Sequence, residues 1–137
     1  MTSSQLLKSL SFGAVLLLLH ERSLADWTLL TRSVEATISY DKASIKKSTA
    51  GVKLWTLTNF ASVEVMNGHS YRSAKGQFEF DCPGERYRVV ATIYYEMSNG
   101  AGKVIESTSL VEQWNPVAPK TMANILLDVA CAKKKEA

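Results

Sequence analysis

The spacing of apolar and polar positions divides the chain into three regimes. Residues 10–19 are almost unbroken apolar sequence. From Trp27 to Glu112, short runs rich in β-branched and aromatic residues alternate with polar positions, the two-residue period of half-buried strands. After Trp114 the period lengthens. Met122, Ile125, Leu126 and Val129 recur at helical spacing with Lys120, Asn124 and Asp128 opposite, and Thr121 is placed to cap that helix.

Within the middle regime, strands are predicted over residues 26–30, 36–40, 52–60, 71–82, 86–96 and 104–112. Residues 41–51, Asn67-Gly68 and residues 98–102 read as turns. The link Pro83-Gly84-Glu85 is short enough to make residues 71–82 and 86–96 a hairpin. The resulting plan is α+β: an antiparallel β-sheet of about five or six strands with one C-terminal α-helix packed on its apolar face.

Alternation also sorts the faces of the hairpin. Phe78, Phe80 and Cys82 share one side, and Gln77, Glu79 and Asp81 the other. On the partner strand, Tyr87, Val89, Ala91, Ile93 and Tyr95 form a core row, and Arg86, Arg88, Val90, Thr92 and Tyr94 an outer row. Cys131 falls away from the Met122/Val129 stripe, so the helix is expected to end before it or the disulfide to lie at an edge.

The first 25 residues change how the composition is read. Lys8, the apolar run and Ser23-Leu24-Ala25 have the order of a secretory signal peptide, with cleavage expected before Asp26. The run is about half of the roughly 20 residues that cross a bilayer, so the mature chain is expected to be soluble and not membrane-spanning. Taking 25 from 137 residues leaves 112, a single domain over 26–137. Its 14 basic and 12 acidic side chains (16 less Lys8 and Arg22; 13 less Glu21) give a net charge near +2. That is too little for a nucleic-acid surface, and the Lys133-Lys134-Lys135 run reads as a solvated tail. Export implies an oxidising compartment, which makes a Cys82–Cys131 disulfide the default.

Catalytic groups are scarce. His69 is the one histidine after residue 25, and it sits at a turn. It lacks the partners of a nucleophilic triad or a zinc site. The Asn99-Gly100-Ala101-Gly102 turn lacks the lysine-bearing spacing of a phosphate loop. Glu79 and Asp81 read as solvated strand charges rather than an acid–base pair. The expectation is a non-enzymatic protein with no cofactor and no metal.

The most site-like feature is the row Arg86, Arg88 and Tyr94, with Arg72 and Lys75 on the neighbouring strand. Arginine with tyrosine is a composition enriched in protein-binding hot spots, and the guanidinium fork suits carboxylate, phosphate or sulfate. The plainer reading is that Glu79 and Asp81 pair across the strands with Arg86 and Arg88. An exposed sheet edge leaves a homodimer or a bound extended peptide open. Trp27, Trp55 and Trp114 read as core or sheet-cover residues.

An ordered set of short segments resembles the surface-adhesin protein E family of Gram-negative bacteria. It comprises Trp27, Tyr40-Asp41, Val52-Lys53-Leu54-Trp55-Thr56-Leu57, Ser70-Tyr71-Arg72-Ser73, Glu79-Phe80-Asp81-Cys82 and Arg86-Tyr87-Arg88. Tyr94-Tyr95, Gly100-Ala101-Gly102, Trp114 with Pro116 and Pro119, and Cys131 complete it. The resemblance implies a small antiparallel sheet with a C-terminal helix, in exported proteins whose surface members bind extracellular-matrix and serum proteins. Those members are lipid-anchored, whereas no cysteine follows this apolar run, so retention at a surface would need another protein. The expected function is thus an exported binding module for an extracellular or envelope protein or an anionic polymer, at the cell surface or in the periplasm. A periplasmic envelope-assembly factor and a small-ligand carrier are the alternatives.

Overall fold

The computed structural model describes residues 25–132. The expected signal segment up to Leu24 and the terminal lysine run lie outside the described residues. Eight strands and one helix follow in chain order: β1 (Trp27–Arg32), β2 (Ala36–Asp41), β3 (Lys46–Lys47), β4 (Val52–Met66), β5 (His69–Asp81), β6 (Arg86–Tyr95), β7 (Val104–Thr108), β8 (Asn115–Pro116) and α1 (Met122–Cys131). All pairings are antiparallel, in the order β1-β2-β4-β5-β6-β7, with β3 beside β4 and β8 beside β6. The α+β plan and the 83–85 hairpin link stand as expected. The last long strand is shorter, ending at Thr108.

β2 and β3 share one edge of β4, separated by a short 3-10 turn over Lys42–Ser44. The Ser44 hydroxyl fills the break in the ladder, accepting from the Trp55 N–H at 2.8 Å and donating to the Asp41 carbonyl at 2.7 Å. β7 and β8 divide the outer edge of β6 in the same way, and between them the Glu112 N–H donates to the Val89 carbonyl at 3.0 Å.

The core lies between one face of the sheet and α1. Leu54, Phe80, Leu126, Leu127 and Ala130 are its buried centre, with Tyr40, Phe78, Tyr87 and Met122 packed around them. Thr121 caps α1 as expected, its hydroxyl accepting from the Asn124 N–H at 3.2 Å. The buried stripe, however, is Ala123, Leu126, Leu127 and Ala130, while Ile125 is 45 % exposed. The helix is therefore turned relative to the stripe expected from Met122, Ile125 and Val129. Leu127 decides this, because a fully buried leucine outweighs a half-exposed isoleucine. Cys131 stands one turn beyond Leu127 on that side, which explains how the last helical residue reaches Cys82 in a disulfide that ties α1 to the end of β5.

Two irregularities set the outline. In β6, Phe78 pairs with Val89 but Gln77 pairs with Ala91, leaving Val90 as an extra, buried residue. Such a bulge reverses the faces of everything beyond it. At the other end, β4 and β5 run past their neighbours as a two-stranded ribbon closed by Asn67 and Gly68, both at positive φ. β2 leaves β4 at Phe60 and β6 leaves β5 at Ser73, so the ribbon has no third strand.

Helix docking can be checked by denaturant unfolding. Leu126→Ala is expected to cost about 3 kcal/mol and Ile125→Ala less than about 1 kcal/mol; equal losses would mean the helix faces are misassigned. Replacing Cys82 and Cys131 together by serine removes a crosslink across 49 residues of sequence. The expected loss is about 4 kcal/mol in the chain-entropy picture.

Candidate functional site

With α1 on one face, the second face of the sheet is left to the side chains that alternate away from it. From β1 comes Trp27; from β4, Lys53 and Trp55; from β5, Lys75, Gln77, Glu79 and Asp81. β6 contributes Arg86 and Arg88 before the bulge, and Ile93 and Tyr95 after it.

Bulging at Val90 divides the arginine row predicted from alternation. Arg86 and Arg88 stand on the open face, but Tyr94 is turned to the helix-covered face. There its ring meets Tyr71 edge-on at 5.1 Å, and Tyr71 meets Phe60 at 5.5 Å. Burial, with smaller contributions from Glu64 and Tyr94, holds the Tyr71 hydroxyl above its ordinary range. Ala91, Ile93 and Tyr95 move the opposite way, out of the expected core row. Arg72 is exposed at the root of the ribbon, within the register break of β4 and β5, and does not join the others. Lys75 is on the open face at its far end, its ammonium 5.7 Å from the centre of the Trp27 ring and 5.4 Å from that of Tyr95. The Ser98–Gly100 turn rims that end, where a Cβ on Gly100 (φ +66°) would lie 2.6 Å from Cε of Lys75.

Both arginines are held. Arg88 Nε donates to Oε1 of Glu79 at 2.8 Å, and the Ser48 hydroxyl donates to Oε2 at 2.7 Å. Glu79 is almost fully buried and Arg88 about three-quarters so. The Arg86 fork donates twice to Oδ2 of Asp81, at 3.1 and 2.7 Å, and remains half exposed. Trp114, on the segment leading into β8, lies against both guanidinium groups, at 4.2 Å from Arg88 and 5.2 Å from Arg86. Each such cation–aromatic contact contributes on the order of 0.5–2 kcal/mol. The cross-strand pairing expected for these charges is present, and it also clamps the C-terminal segment to β6.

Burial alone would push the Glu79 carboxyl upward. The Ser48 hydroxyl, the Arg88 guanidinium and, more weakly, Lys53 outweigh it, so the group sits below its ordinary range. Asp81 is lowered as well, by Arg86 and the Gly84 N–H. As an acid–base pair the two are therefore spent on holding arginines. His69 lies exposed at the ribbon tip opposite Met66, away from this face. Among the described residues no group of three or more histidine, cysteine or acidic side chains is placed to hold a metal ion.

Beside the Glu79–Arg88 pair the face opens into a trough of about 740 Å³ between the 44–50 turn and the loop after β7. The cationic residues that line it are Lys46, Lys47, Lys53 and Arg88, and Glu79 is its single acid. The lysines escaped the sequence reading because residues 41–51 looked like a plain polar turn. The signal was there in Lys46-Lys47, but only β3 pairing brings them beside Lys53.

The profile described as Surface-adhesin protein E matches residues 27–132. The chain belongs to the surface-adhesin protein E family. Two structures of Haemophilus influenzae protein E share its fold. One, described as crystal form II, is 17% identical, with 77% of this chain and 87% of that one aligned and a TM-score of 0.62. The other is also 17% identical, with 81% and 87% aligned and a TM-score of 0.61. No curated protein sequence matches the chain. Among the described residues no helix is long and apolar enough to cross a membrane.

Arg88 is expected to be structural and Arg86 dispensable for folding. Arg88→Ala leaves a buried carboxylate without its partner and should cost about 3 kcal/mol, whereas Glu79→Leu with Arg88→Met should recover most of that. Arg86→Ala should leave the unfolding midpoint nearly unchanged; the opposite ranking would refute the assignment. Glu79 titrates near 4.5 when unperturbed and lower in the fold. Its stabilisation is therefore complete above the unfolded value and lost as pH falls through the folded one. Glu79→Gln should flatten that part of the acid-unfolding curve measured by circular dichroism.

Proposed function

We propose that this chain is an exported, adhesin-type binding module that engages an extracellular or envelope protein through the helix-free face of its sheet. The observation that carries the reading is the arrangement of that face. Half-buried aromatic rings and cationic groups stand there together: Trp27 and Tyr95 around Lys75 at one end, and Trp114 under Arg86 and Arg88 at the other. Aromatic and arginine side chains are the groups that dominate protein-interface energetics. Their rotamers are already fixed by stacking, which lowers the entropy lost on binding. Membership of a surface-adhesin family supports the same conclusion.

In this reading Arg86 and Lys75 are the contact residues, Arg88 positions Trp114, and Arg72 and Tyr94 lie outside the binding face. Export by a cleaved signal segment and a non-enzymatic role belong to the proposal. The test uses cells carrying the full chain. Protease shaving of intact cells should remove the protein while a periplasmic marker survives. Lys75→Glu with Arg86→Glu should then reduce attachment to a coat of extracellular-matrix proteins to the level of cells lacking the chain, at equal surface abundance. Protection from shaving would favour a periplasmic role, and unchanged attachment would exclude this face.

A further inference from the structure

The trough beside the Glu79–Arg88 pair carries an arrangement that the fold does not need. β3 is a bridge of two residues, and it sets Lys46 directly opposite Lys53 and Lys47 opposite Val52. Like charges directly opposed across antiparallel strands are destabilising, and among the described residues none of these three lysines forms a salt bridge. Glu79 stands directly opposite Lys53 and offsets that lysine only in part, since Arg88 and Ser48 already engage its two oxygens. Three lysines beside the Arg88–Glu79 ion pair thus line the trough, a local excess of positive charge in a chain whose formal net charge is +3. A local rule broken without structural return marks a functional position.

We propose that this trough binds an acidic polysaccharide, a chain of sugars carrying sulfate or carboxylate groups. The charge fixes the sign of the occupant, and the remaining lining fixes its class. Thr49, Ser109 and Gln77 offer hydroxyl and amide groups with no hydrogen-bond partner among the described residues, suited to a polyol. Trp55 supplies the one aromatic surface, and it also borders the hollow of Trp27, Lys75 and Tyr95. Glu79 to Lys75 is about 13 Å along β5, so an extended chain passing over Trp55 meets the lysine cluster and then Lys75. The lining also carries Trp55, Val90, Ala91 and Val111, so an acidic peptide is the competing occupant, and the polyglutamate arm of the test separates the two. The assignment stands whether or not a protein partner uses the same face.

The experiment is titration of the purified chain with a heparin oligosaccharide and with an alginate oligosaccharide, followed by calorimetry at low and physiological salt. Saturable binding of either is expected, weakening with salt. Lys46→Glu with Lys47→Glu should weaken it at least about tenfold, and Lys46→Gln with Lys47→Gln to a smaller extent. Both pairs are exposed, and a thermal melt checks that each variant folds. The charge-matched change Arg32→Glu with Lys103→Glu, on other elements, should leave binding within about twofold. No binding of either glycan overturns the proposal. So does equal loss in the charge-matched variant, which would make the attraction diffuse. Equal or tighter binding of polyglutamate or polyphosphate also overturns it, because the trough would then read charge without the sugar.

Discussion

Docking of α1 through Leu126 and Leu127 onto Leu54 and Phe80 is the contact on which the rest of the molecule depends. The buried residues of this core come from one helix and two strands, and apolar area removed from water is the main favourable contribution to folding. A helix of ten residues is only about 15 Å long, so it can cover one face of a sheet whose central strands have fifteen and thirteen residues. The uncovered face has to be stable in water by other means. It uses cross-strand ion pairs, cations stacked on tryptophan, and turns folded back against its rim.

This division explains why the charged row of β6 is at once a support and a surface. Glu79 would be costly to bury alone, and Arg88 makes that burial tolerable. Arg88 in turn presents a flat cation on which Trp114 rests, and Trp114 keeps the chain beside β6 until β8 pairs there. A residue read in isolation as a ligand for anions is therefore held by the fold. Across the trough Lys53 faces Glu79, and Lys46 and Lys47, with no salt bridge among the described residues, are the cations left over.

Much of the scaffold was legible in alternation and spacing: the antiparallel plan, the hairpin at residues 83–85, the Thr121 cap, and the cysteine pair from the export context. That Glu79 and Asp81 pair with Arg86 and Arg88 followed from placing opposite charges on facing strands; which acid holds which arginine came from the register. What alternation cannot convey is a change of phase. Val90 is one more β-branched residue in an apolar run, and nothing in its identity announces an extra residue without a cross-strand partner. That single position sent Tyr94 to the covered face and Ile93 and Tyr95 to the open one. The buried face of the helix departs from the periodic stripe for a related reason. Ile125 and Leu127 are equally apolar, and only the sheet beneath them decides which is buried. Trp114 depends on contacts with Arg86 and Arg88 far away in sequence, which no local window contains, and the Lys46/Lys53 opposition depends on the register of a two-residue bridge inside an apparent turn.

The overhanging ribbon of β4 and β5 has a consequence of a different kind. Beyond Phe60 and Ser73 its residues add almost nothing to the core, and nearly all are exposed from Ala61 to Arg72. Segments with few buried contacts open locally without unfolding the whole, and substitutions in such places are close to neutral for stability. In an exported protein these are the positions that drift most freely. The tip around Asn67 and His69 is where the molecule can change its appearance while keeping its fold.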